Sequence, residues 1–470
     1  MRRTILGWLL LAVSAERLLN VYLLSRHPSI FEQVDWRAPL AVGLLAGIAG
    51  TALLLRVRTG GRARKPPLAL LTLALGIAGW MPADAETVTL AQFKPRDPAS
   101  EAQLLATFTA RTGVRVRQRT LPNASDVQHQ QFVTWLAARD SGVDVYQIDQ
   151  IWTAEFAAAG WIRPAGAELT AGERAAFLPA PLASAAWGGR LWALPRFTES
   201  GLLYYRRDVL PAPPRSWPEL VRVATALGTT GRSGYVFQGK QYEGLVVNFL
   251  EILWAMGGRL LGEDGGVAVD SPAGVRALEI LAALLRHPGA ASPGVLTYAE
   301  HDSLQEFLEG RALMHRNWSF AWSLVEREGS RVRGRVGVAP LPGPASLGGW
   351  HLAVSAYSRR PAAAWALARF LTSAEVQRVK ALVEGRLPTV GALYDDREVL
   401  RANPHFAALR DALALARPRP ATPFYARLSG ILQVQISRAL VGAVSPREAL
   451  AEATRQMAPL AGAQSAGLPR

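Results

Sequence analysis

Alternation of strand-like and helix-like segments after Glu86 is the feature that most restricts the possible folds of this chain. The predicted order is strand, helix, strand, helix, strand, at Thr87–Phe93, 102–112, 114–119, 127–140 and 143–148. This order favours a mainly parallel sheet with helices on its faces, because parallel strands need crossover connections. Ligands of such sheets bind beyond the carboxyl ends of the strands. Asp149 stands directly after the third strand, so we expect it near a binding site.

Composition excludes several kinds of site. The 470 residues include no cysteine, which rules out disulfides, thiolate metal sites, a cysteine nucleophile and a lipidated N-terminal cysteine. The formal net charge of +15 would suggest a nucleic-acid partner. However, only four of the 52 basic residues are lysine, and no long basic run with interleaved aromatic residues exists beyond the N-terminal segment. We interpret the charge as an arginine-rich composition and expect no nucleic acid as a partner.

The first 85 residues predict a membrane region. Their apolar segments are 5–24, 38–55 and 68–81. The first two predict transmembrane helices. Segment 68–81 precedes Ala83-Asp84-Ala85 and predicts either a cleaved signal peptide or a further anchor. The basic segment 56–66 should stay cytoplasmic, which places the rest of the chain outside, anchored in the cytoplasmic membrane. The alternative is a misassigned start codon upstream of a simple signal peptide.

A polar turn between a strand and a helix organises the middle of the chain. The stretch begins at Tyr235 as a short strand, turns at Gly239, and takes helical spacing from Leu245 until Gly257-Gly258. The polar residues of the turn suit a ligand with many hydroxyl groups; they are Gln238, Lys240, Gln241, Tyr242 and Glu243. The turn also fits the start of a phosphate-loop pattern, but Gln241 stands where Ser or Thr would bind magnesium, so we predict no nucleotide site.

The phrase FQGKQYEGLVVNFLEILW at 237–254 resembles the solute-binding proteins of carbohydrate ABC importers, specifically their trehalose/maltose-binding branch. Further phrases resemble the same family in the same order, namely DVYQIDQIW, RNW, GGWHLAVSAY and RPRPATPFY. The resemblance runs from about Glu86 to about Met457 and does not cover the first 85 residues. It implies an α/β chain with a periplasmic-binding-protein type II-like fold, in which two α/β lobes and a hinge enclose a cleft.

The resemblance also implies how the chain divides between lobes. Lobe I would comprise 86–198 and 344–384, and lobe II would comprise 199–343 and 385–470. The segments that cross between the lobes would lie near Glu199 and near Pro342–Ser346. Hinge closure would then bring ligand-binding groups of both lobes onto the ligand.

Several polar residues would bind the sugar if the resemblance holds. Asp149 would present a carboxylate, with a helix N-cap as the alternative role. Glu199 would face the cleft, and Arg419 would reach the ligand unless it forms a surface salt bridge. The turn residues Gln238, Tyr242 and Glu243 would complete the polar part of the site.

Aromatic and glycine residues would shape the same site. Trp318 would stack on a sugar ring, with a purely structural core position as the alternative. Trp350 would flank the ligand, and Gly349 would let the ligand approach the backbone. The chain departs from many relatives in having Phe197 and Glu199 where tyrosine and aspartate are common. It also has Gln92-Phe93-Lys94 where relatives commonly offer an acidic ligand residue.

These features imply the extracytoplasmic solute-binding component of an ABC importer, which binds a di- or oligosaccharide and docks on the permease subunits in the membrane. No cofactor, metal or catalysis is expected, because the seven histidines are scattered and the common hydrolase and dinucleotide motifs are absent. One alternative is a membrane-tethered sugar sensor. Another is a glycoside hydrolase, since Asp149, Glu199 and Glu243 would supply the paired carboxylates that such enzymes need.

Overall fold

The structure is a computed structural model that describes residues 86–465, apart from the side chains at 408, 411, 412, 414 and 462–465. The predicted membrane region, residues 1–85, therefore lies outside the described residues. Within the described part of the chain, no helix is both long enough and apolar enough to cross a membrane.

The strands of the described region form two main sheets and one short hairpin. Their bounds are β1 Thr87–Phe93, β2 Arg115–Leu121, β3 Val145–Asp149, β4 Ala186–Trp187, β5 Arg190–Leu191, β6 Leu194–Ser200, β7 Leu202–Arg206, β8 Ser233–Val236, β9 Ala312–Asn317, β10 Val336–Pro340 and β11 Leu347–Val354. The first sheet has the order β2-β1-β3-β11-β6, and the second has the order β10-β7-β9-β8. Strands β4 and β5 pair only with each other.

Helices connect the strands and cover the sheets. Their bounds are α1 Pro98–Thr112, α2 Ser125–Ala137, α3 Thr153–Ala158, α4 Ala171–Ala176, α5 Pro179–Ser184, α6 Trp217–Leu227, α7 Glu243–Ala255, α8 Pro272–Arg286, α9 Glu300–Leu308, α10 Ala321–Val325, α11 Pro361–Leu371, α12 Ala374–Glu384, α13 Arg397–Ala402, α14 Phe406–Leu415, α15 Tyr425–Leu440 and α16 Pro446–Ser465. Short 3-10 turns occupy Gln150–Trp152, Pro293–Thr297 and Gly391–Tyr394.

The predicted β-α-β-α-β order is confirmed, with shifted boundaries. Strands β1, β2 and β3 are parallel to one another, with α1 and α2 between them. Helix α1 starts earlier than predicted because the Asp97 side chain accepts a hydrogen bond from the Ser100 N–H at 2.7 Å and Pro98 occupies the first turn. It ends at Gly113, whose φ of 74° lies in the left-handed region that stops helices.

Each sheet has its own hydrophobic core. One core surrounds the first sheet and α1, and it includes Phe108, Phe132 and Trp365. A larger core surrounds the second sheet, the helix α7 and the C-terminal helices, and it includes Trp217 and Phe249. The two sheets are thus stabilised by separate groups of buried side chains.

Two segments that pass between the sheets lie side by side. Gly201 alone separates β6 from β7, and its N–H donates to the Ser346 carbonyl at 3.4 Å. The second segment is 341–346, between β10 and β11. Both segments contact one carboxylate, because Glu251 Oε1 accepts from the Ser346 N–H at 3.1 Å and lies 2.2 Å from where a Cβ on Gly201 would be.

We predict that Gly201→Ala destabilises the protein by about 2–4 kcal/mol. The added Cβ would lie 2.2 Å from Glu251 Oε1 and 2.7 Å from Arg316 Nη2, and both side chains are fully buried in an ion pair that cannot shift freely. Urea denaturation followed by circular dichroism measures the change.

Gly430→Ala is the matched control, because this glycine lies inside α15 and an added Cβ would meet nothing within 4 Å. Alanine there should be neutral or stabilising by up to about 1 kcal/mol. Equal midpoints for the wild type and Gly201→Ala would show that the crossing is not packed as described.

Candidate functional site

Neighbouring strands of the first sheet bring several predicted residues to one edge. Asp149, at the end of β3, lies opposite Trp350 of β11, which in turn lies opposite Phe197 of β6. A register shift follows Trp350, and such irregularities redirect side chains near binding sites. The carboxyl ends of β1, β3 and β6 therefore meet the start of β11, as expected for a ligand site in an α/β sheet.

The paired glycines at the start of β11 make room for protein atoms. An added Cβ on Gly348 would lie 2.9 Å from Trp318 Cζ3 and 3.1 Å from Glu199 Cβ. Gly349 has a φ of +148°, and its Cβ would lie 2.9 Å from the Phe197 carbonyl oxygen. Gly348 is thus required because the Trp318 ring packs against its backbone, and Trp318 directly follows a strand of the second sheet.

A cavity of about 410 Å³ lies at this edge and is lined by residues that follow strands of both sheets. Its volume falls in the range of small-molecule sites, roughly 300–1,000 Å³. Eight of the nine predicted binding residues line it, namely Asp149, Glu199, Tyr242, Glu243, Trp318, Gly349, Trp350 and Arg419. Residues more than two hundred positions apart in the sequence thus converge on one cavity.

Arg419 holds two of the predicted carboxylates. Its Nη1 donates to Glu243 Oε1 at 2.7 Å, and its Nη2 donates to Asp149 Oδ1 at 3.4 Å. Glu243 also accepts from the Tyr425 hydroxyl at 2.8 Å and from the Ser429 hydroxyl. Arg419 is 6% exposed, so it forms a buried ion pair and not a surface salt bridge. The described residues include no group of three or more His, Asp or Glu side chains placed to hold a metal ion.

Asp149 both caps a short helix and lines the cavity. Its Oδ1 accepts from the Ile151 N–H at 3.3 Å, so the alternative capping role is present in the structure. Burial is the largest influence on this carboxyl and raises its pKa to about 6, although the charge of Arg419 opposes the shift. Arg419 lies closer to Glu243 than to Asp149. The Asp149 carboxylate is thus buried with few donors, and hydrogen bonds from a ligand would stabilise its charged form.

Glu199 connects the two sheets. One of its oxygens, Oε2, accepts from the Ser319 N–H at 3.1 Å and from the Ser319 hydroxyl, and Ser319 lies just beyond β9. The Arg386 guanidinium lies 3.6 Å from the other oxygen, Oε1. Burial raises the pKa of Glu199, while Arg386 and Arg96 oppose the shift. This carboxylate is therefore mainly engaged by protein groups.

The two predicted aromatic residues are fixed by their neighbours. The Trp350 ring makes edge-on contacts with Phe93 at 5.0 Å and with Trp152 at 5.5 Å between ring centroids. The Trp318 indole N–H donates to Glu300 Oε1 at 3.3 Å, and the Arg316 guanidinium lies 4.0 Å from the centre of the Trp318 ring. Rings held in this way lose little further freedom when a ligand binds.

Gln238 does not line the cavity. Its side chain is fully buried and donates to the Ser303 hydroxyl at 2.9 Å and to the Arg316 carbonyl at 2.8 Å, while its oxygen accepts from Asn248 at 3.2 Å. The residue therefore links β8, β9 and α7 beneath the site. The sequence analysis assigned Gln238 to the ligand-binding turn, but the residues of this turn that line the cavity begin only after Gly239.

Sequence reasoning missed several charged residues of the cavity, namely Arg96, Asp126, Glu300, His301 and Arg386. Arg96 lies three residues beyond the end of β1, so the rule that ligands bind at strand ends could have identified it. Arg386 follows the left-handed Gly385 that ends α12, and nothing in its local sequence points to a cleft.

Comparisons with known proteins identify relatives of this chain. Residues 94–378 match the family model described as bacterial extracellular solute-binding protein. A probable ABC transporter-binding protein of Deinococcus radiodurans is 36% identical over 396 residues, which cover 80% of this chain and 92% of that protein. The mannitol-binding protein of Pseudomonas aeruginosa is 26% identical over 318 residues, covering 64% of this chain and 72% of that protein.

Solved structures show the same likeness. Maltose-bound T. maritima MalE3 has a TM-score of 0.76 and 35% identity, covering 80% of this chain and 100% of that chain. A solute-binding protein from Thermotoga lettingae bound with alpha-D-tagatose has a TM-score of 0.74 and 25% identity, again covering 80% and 100%. These likenesses confirm the expected periplasmic-binding-protein type II fold for the described residues.

We predict that the difference in unfolding free energy between the wild type and Asp149→Asn depends on pH. Asp149 has an ordinary pKa of 3.8 and a folded pKa of about 6, so the stability gained by its protonation is fully present below about pH 4 and is lost as the pH rises through 6. The wild type should therefore lose up to about 3 kcal/mol relative to Asp149→Asn between pH 4 and pH 7.

Urea denaturation of both proteins at pH 4, 5, 6 and 7 measures this difference. If the difference in unfolding free energy between the two proteins stayed constant from pH 4 to pH 7, Asp149 would not be desolvated in the folded protein.

Proposed function

The chain belongs to the bacterial extracellular solute-binding protein family, and we propose that it is the extracytoplasmic sugar-binding component of an ABC importer. Its ligand is a di- or oligosaccharide of the kind bound by the trehalose/maltose-binding branch. The observation that carries the proposal is the single cavity that gathers carboxylates, an arginine and two tryptophans from the ends of strands in both sheets.

The cavity offers the groups that saccharides need. Asp149 and Glu243 can accept hydrogen bonds from hydroxyl groups, and Tyr242 can donate or accept. Trp318 and Trp350 can cover the apolar faces of sugar rings, as aromatic rings do in ligand sites that are otherwise polar. The maltose-bound relative with 35% identity supports a saccharide as the ligand.

Hinge closure is the binding motion that we propose. The two lobes would be the bodies built around the two sheets, with Gly201 and segment 341–346 as the crossing points. Glu199 lies in a strand of the first sheet, Ser319 lies just beyond a strand of the second, and the two are hydrogen-bonded at the base of the cavity. Closure of the lobes about this contact would bring the strand ends of both sheets together around a bound sugar. The closed form would dock on the permease subunits, and residues 1–85 would keep the protein at the membrane.

The ligand should be released unchanged. Glu243 is held by Arg419, Tyr425 and Ser429, and Glu199 is held by Ser319 and Arg386. Of the three carboxylates that a glycosidase could use here, Asp149 has a raised pKa, but Glu199 and Glu243 are both engaged by protein groups. A glycosidase needs a pair of available carboxylates, so we expect binding without hydrolysis. Chromatography of a recovered binding mixture tests this point, because a hydrolase would yield monosaccharides.

Calorimetric titration of the full chain against maltose, trehalose, sucrose and monosaccharides tests the proposed binding. For the best ligand, Trp350→Ala and Asp149→Ala should each weaken binding by about 1–3 kcal/mol, through loss of an aromatic cover and of a buried acceptor. Trp187→Ala is the matched control, since Trp187 is half-buried and does not line the cavity.

Loss of affinity in both cleft variants, with the control unchanged, would support the assigned site. Heat signals that are flat for every sugar would count against the function, and undiminished binding by both variants would mean that the sugar binds elsewhere.

A further inference from the structure

Two guanidinium groups lie at one end of the cavity. Arg96 stands three residues beyond the end of β1, and Arg386 stands two residues beyond the end of α12. Both line the cavity together with Phe320 and His301, and both act electrostatically on Glu199. We call Arg96 and Arg386 the cationic corner.

The arginines of the cationic corner differ in the number of carboxylates with which they form ion pairs. Arg386 has two carboxylates, with its Nε 3.3 Å from Glu384 Oε2 and its Nη1 3.6 Å from Glu199 Oε1. Arg96 has no ion pair with any described residue, and its Nη1 is buried without a hydrogen-bond acceptor among them. Its guanidinium carbon lies 3.5 Å from the centre of the Phe320 ring. The ring face attracts the charge but offers no acceptor oxygen to the N–H groups.

The Nη1 group of Arg96 therefore lacks an acceptor. Burial is the largest influence that lowers the pKa of Arg96, and the like charge of Arg386 lowers it further, whereas Glu199 and Glu384 raise it. Guanidinium stays protonated in proteins, so the group remains a cation that is partly removed from water. A buried donor without an acceptor is unfavourable, the more so when it is charged. An anion bound here would supply the missing acceptor and offset the repulsion between Arg96 and Arg386.

The other end of the cavity has the opposite character. Asp126, Asp149 and Glu243 line it, and Arg419 forms ion pairs with Asp149 and Glu243. Burial raises the pKa of Asp126 and of Asp149, in both cases with a contribution from Glu243. Asp149 and Phe197 lie on strands separated by β11, which places these two residues roughly 10 Å apart. The Arg386 guanidinium lies 4.2 Å from the centre of the Phe197 ring, at the cationic corner. One disaccharide spans the distance between Asp149 and Phe197.

We propose that the cleft binds an acidic saccharide, whose carboxylate or phosphate group is bound by Arg96 in the cationic corner while its hydroxyl groups bind at the carboxylate end. The guanidinium fork matches the oxygens of a carboxylate or of a phosphate equally well. The hydroxyl oxygens of a neutral sugar can accept hydrogen bonds from Arg96, but they carry no charge to balance the guanidinium. The inference rests on the proposed function and names the class of saccharide that this site prefers.

Titration calorimetry of the full chain with matched ligand pairs tests the inference. The pairs are trehalose with trehalose 6-phosphate, maltose with maltose 6-phosphate, and galactobiose with digalacturonate. We expect at least one acidic member to bind about tenfold or more tightly than its neutral parent, since hydrogen bonds between charged groups are the strong ones. The phosphate pairs and the uronate pair distinguish the two anions. Sodium chloride should weaken only the acidic ligands.

Substitution of Arg96 tests whether this residue causes the preference for acidic ligands. Arg96→Gln should reduce the affinity for the acidic ligand about tenfold or more and leave the neutral parent within about threefold. Arg96→Lys keeps the charge and should retain part of the preference and its salt dependence. Arg222→Gln is the matched control, because Arg222 is exposed on α6, away from the cavity lining. Circular dichroism confirms that each variant is folded.

The outcomes separate this inference from the proposed function. Binding of neutral sugars with no gain for any acidic partner would overturn the inference and leave the proposed function standing. An acidic preference that survives Arg96→Gln would also overturn it, because the anion would then be bound elsewhere. Absence of binding by every ligand of all three pairs would contradict both.

Discussion

The fully buried ion pair between Arg316 and Glu251 is the interaction on which the rest of the structure depends. The two side chains are 0% exposed and their Nη2 and Oε1 atoms lie 2.6 Å apart. A buried pair adds little net stability, but losing one partner leaves an isolated charge in the core. Glu251 also accepts from the Ser346 N–H, and both side chains approach Gly201, so the pair lies beneath both segments that cross between the sheets. It fixes where the two bodies are joined.

The binding cavity follows from this junction. Arg316 is near the end of β9, and two residues later Trp318 enters the cavity with the Arg316 guanidinium against its ring. Glu199 stands two residues before Gly201 and bonds to Ser319 of the other sheet. Strand ends of both sheets are thereby held around one space. Asp149 and Glu243 lie around Arg419 at one end of that space, while Arg96 and Arg386 lie beside Glu199 at the other.

The sequence predicted those parts of the structure that local pattern determines. The strand and helix order after Glu86 was recoverable because periodicity and caps such as Gly113 are local. Asp149 was recoverable because it stands at a strand end, and Trp350 because it lies within a phrase that resembles the family. Gln238 was placed wrongly because its partners, Ser303 and Arg316, come from distant segments. Arg386 was missed for the same reason. Whether a polar residue faces a ligand or the core depends on tertiary partners that no local pattern records.

We propose that one cleft, formed by the strand ends of two sheets, encloses a saccharide. Electron density from crystals of the protein with a bound saccharide tests this proposal most directly. We expect sugar density in the cavity between Trp318 and Trp350, with a hydroxyl group within hydrogen-bond distance of the Asp149 carboxylate. Sugar density at any other surface, with this cavity filled only by solvent, would contradict it.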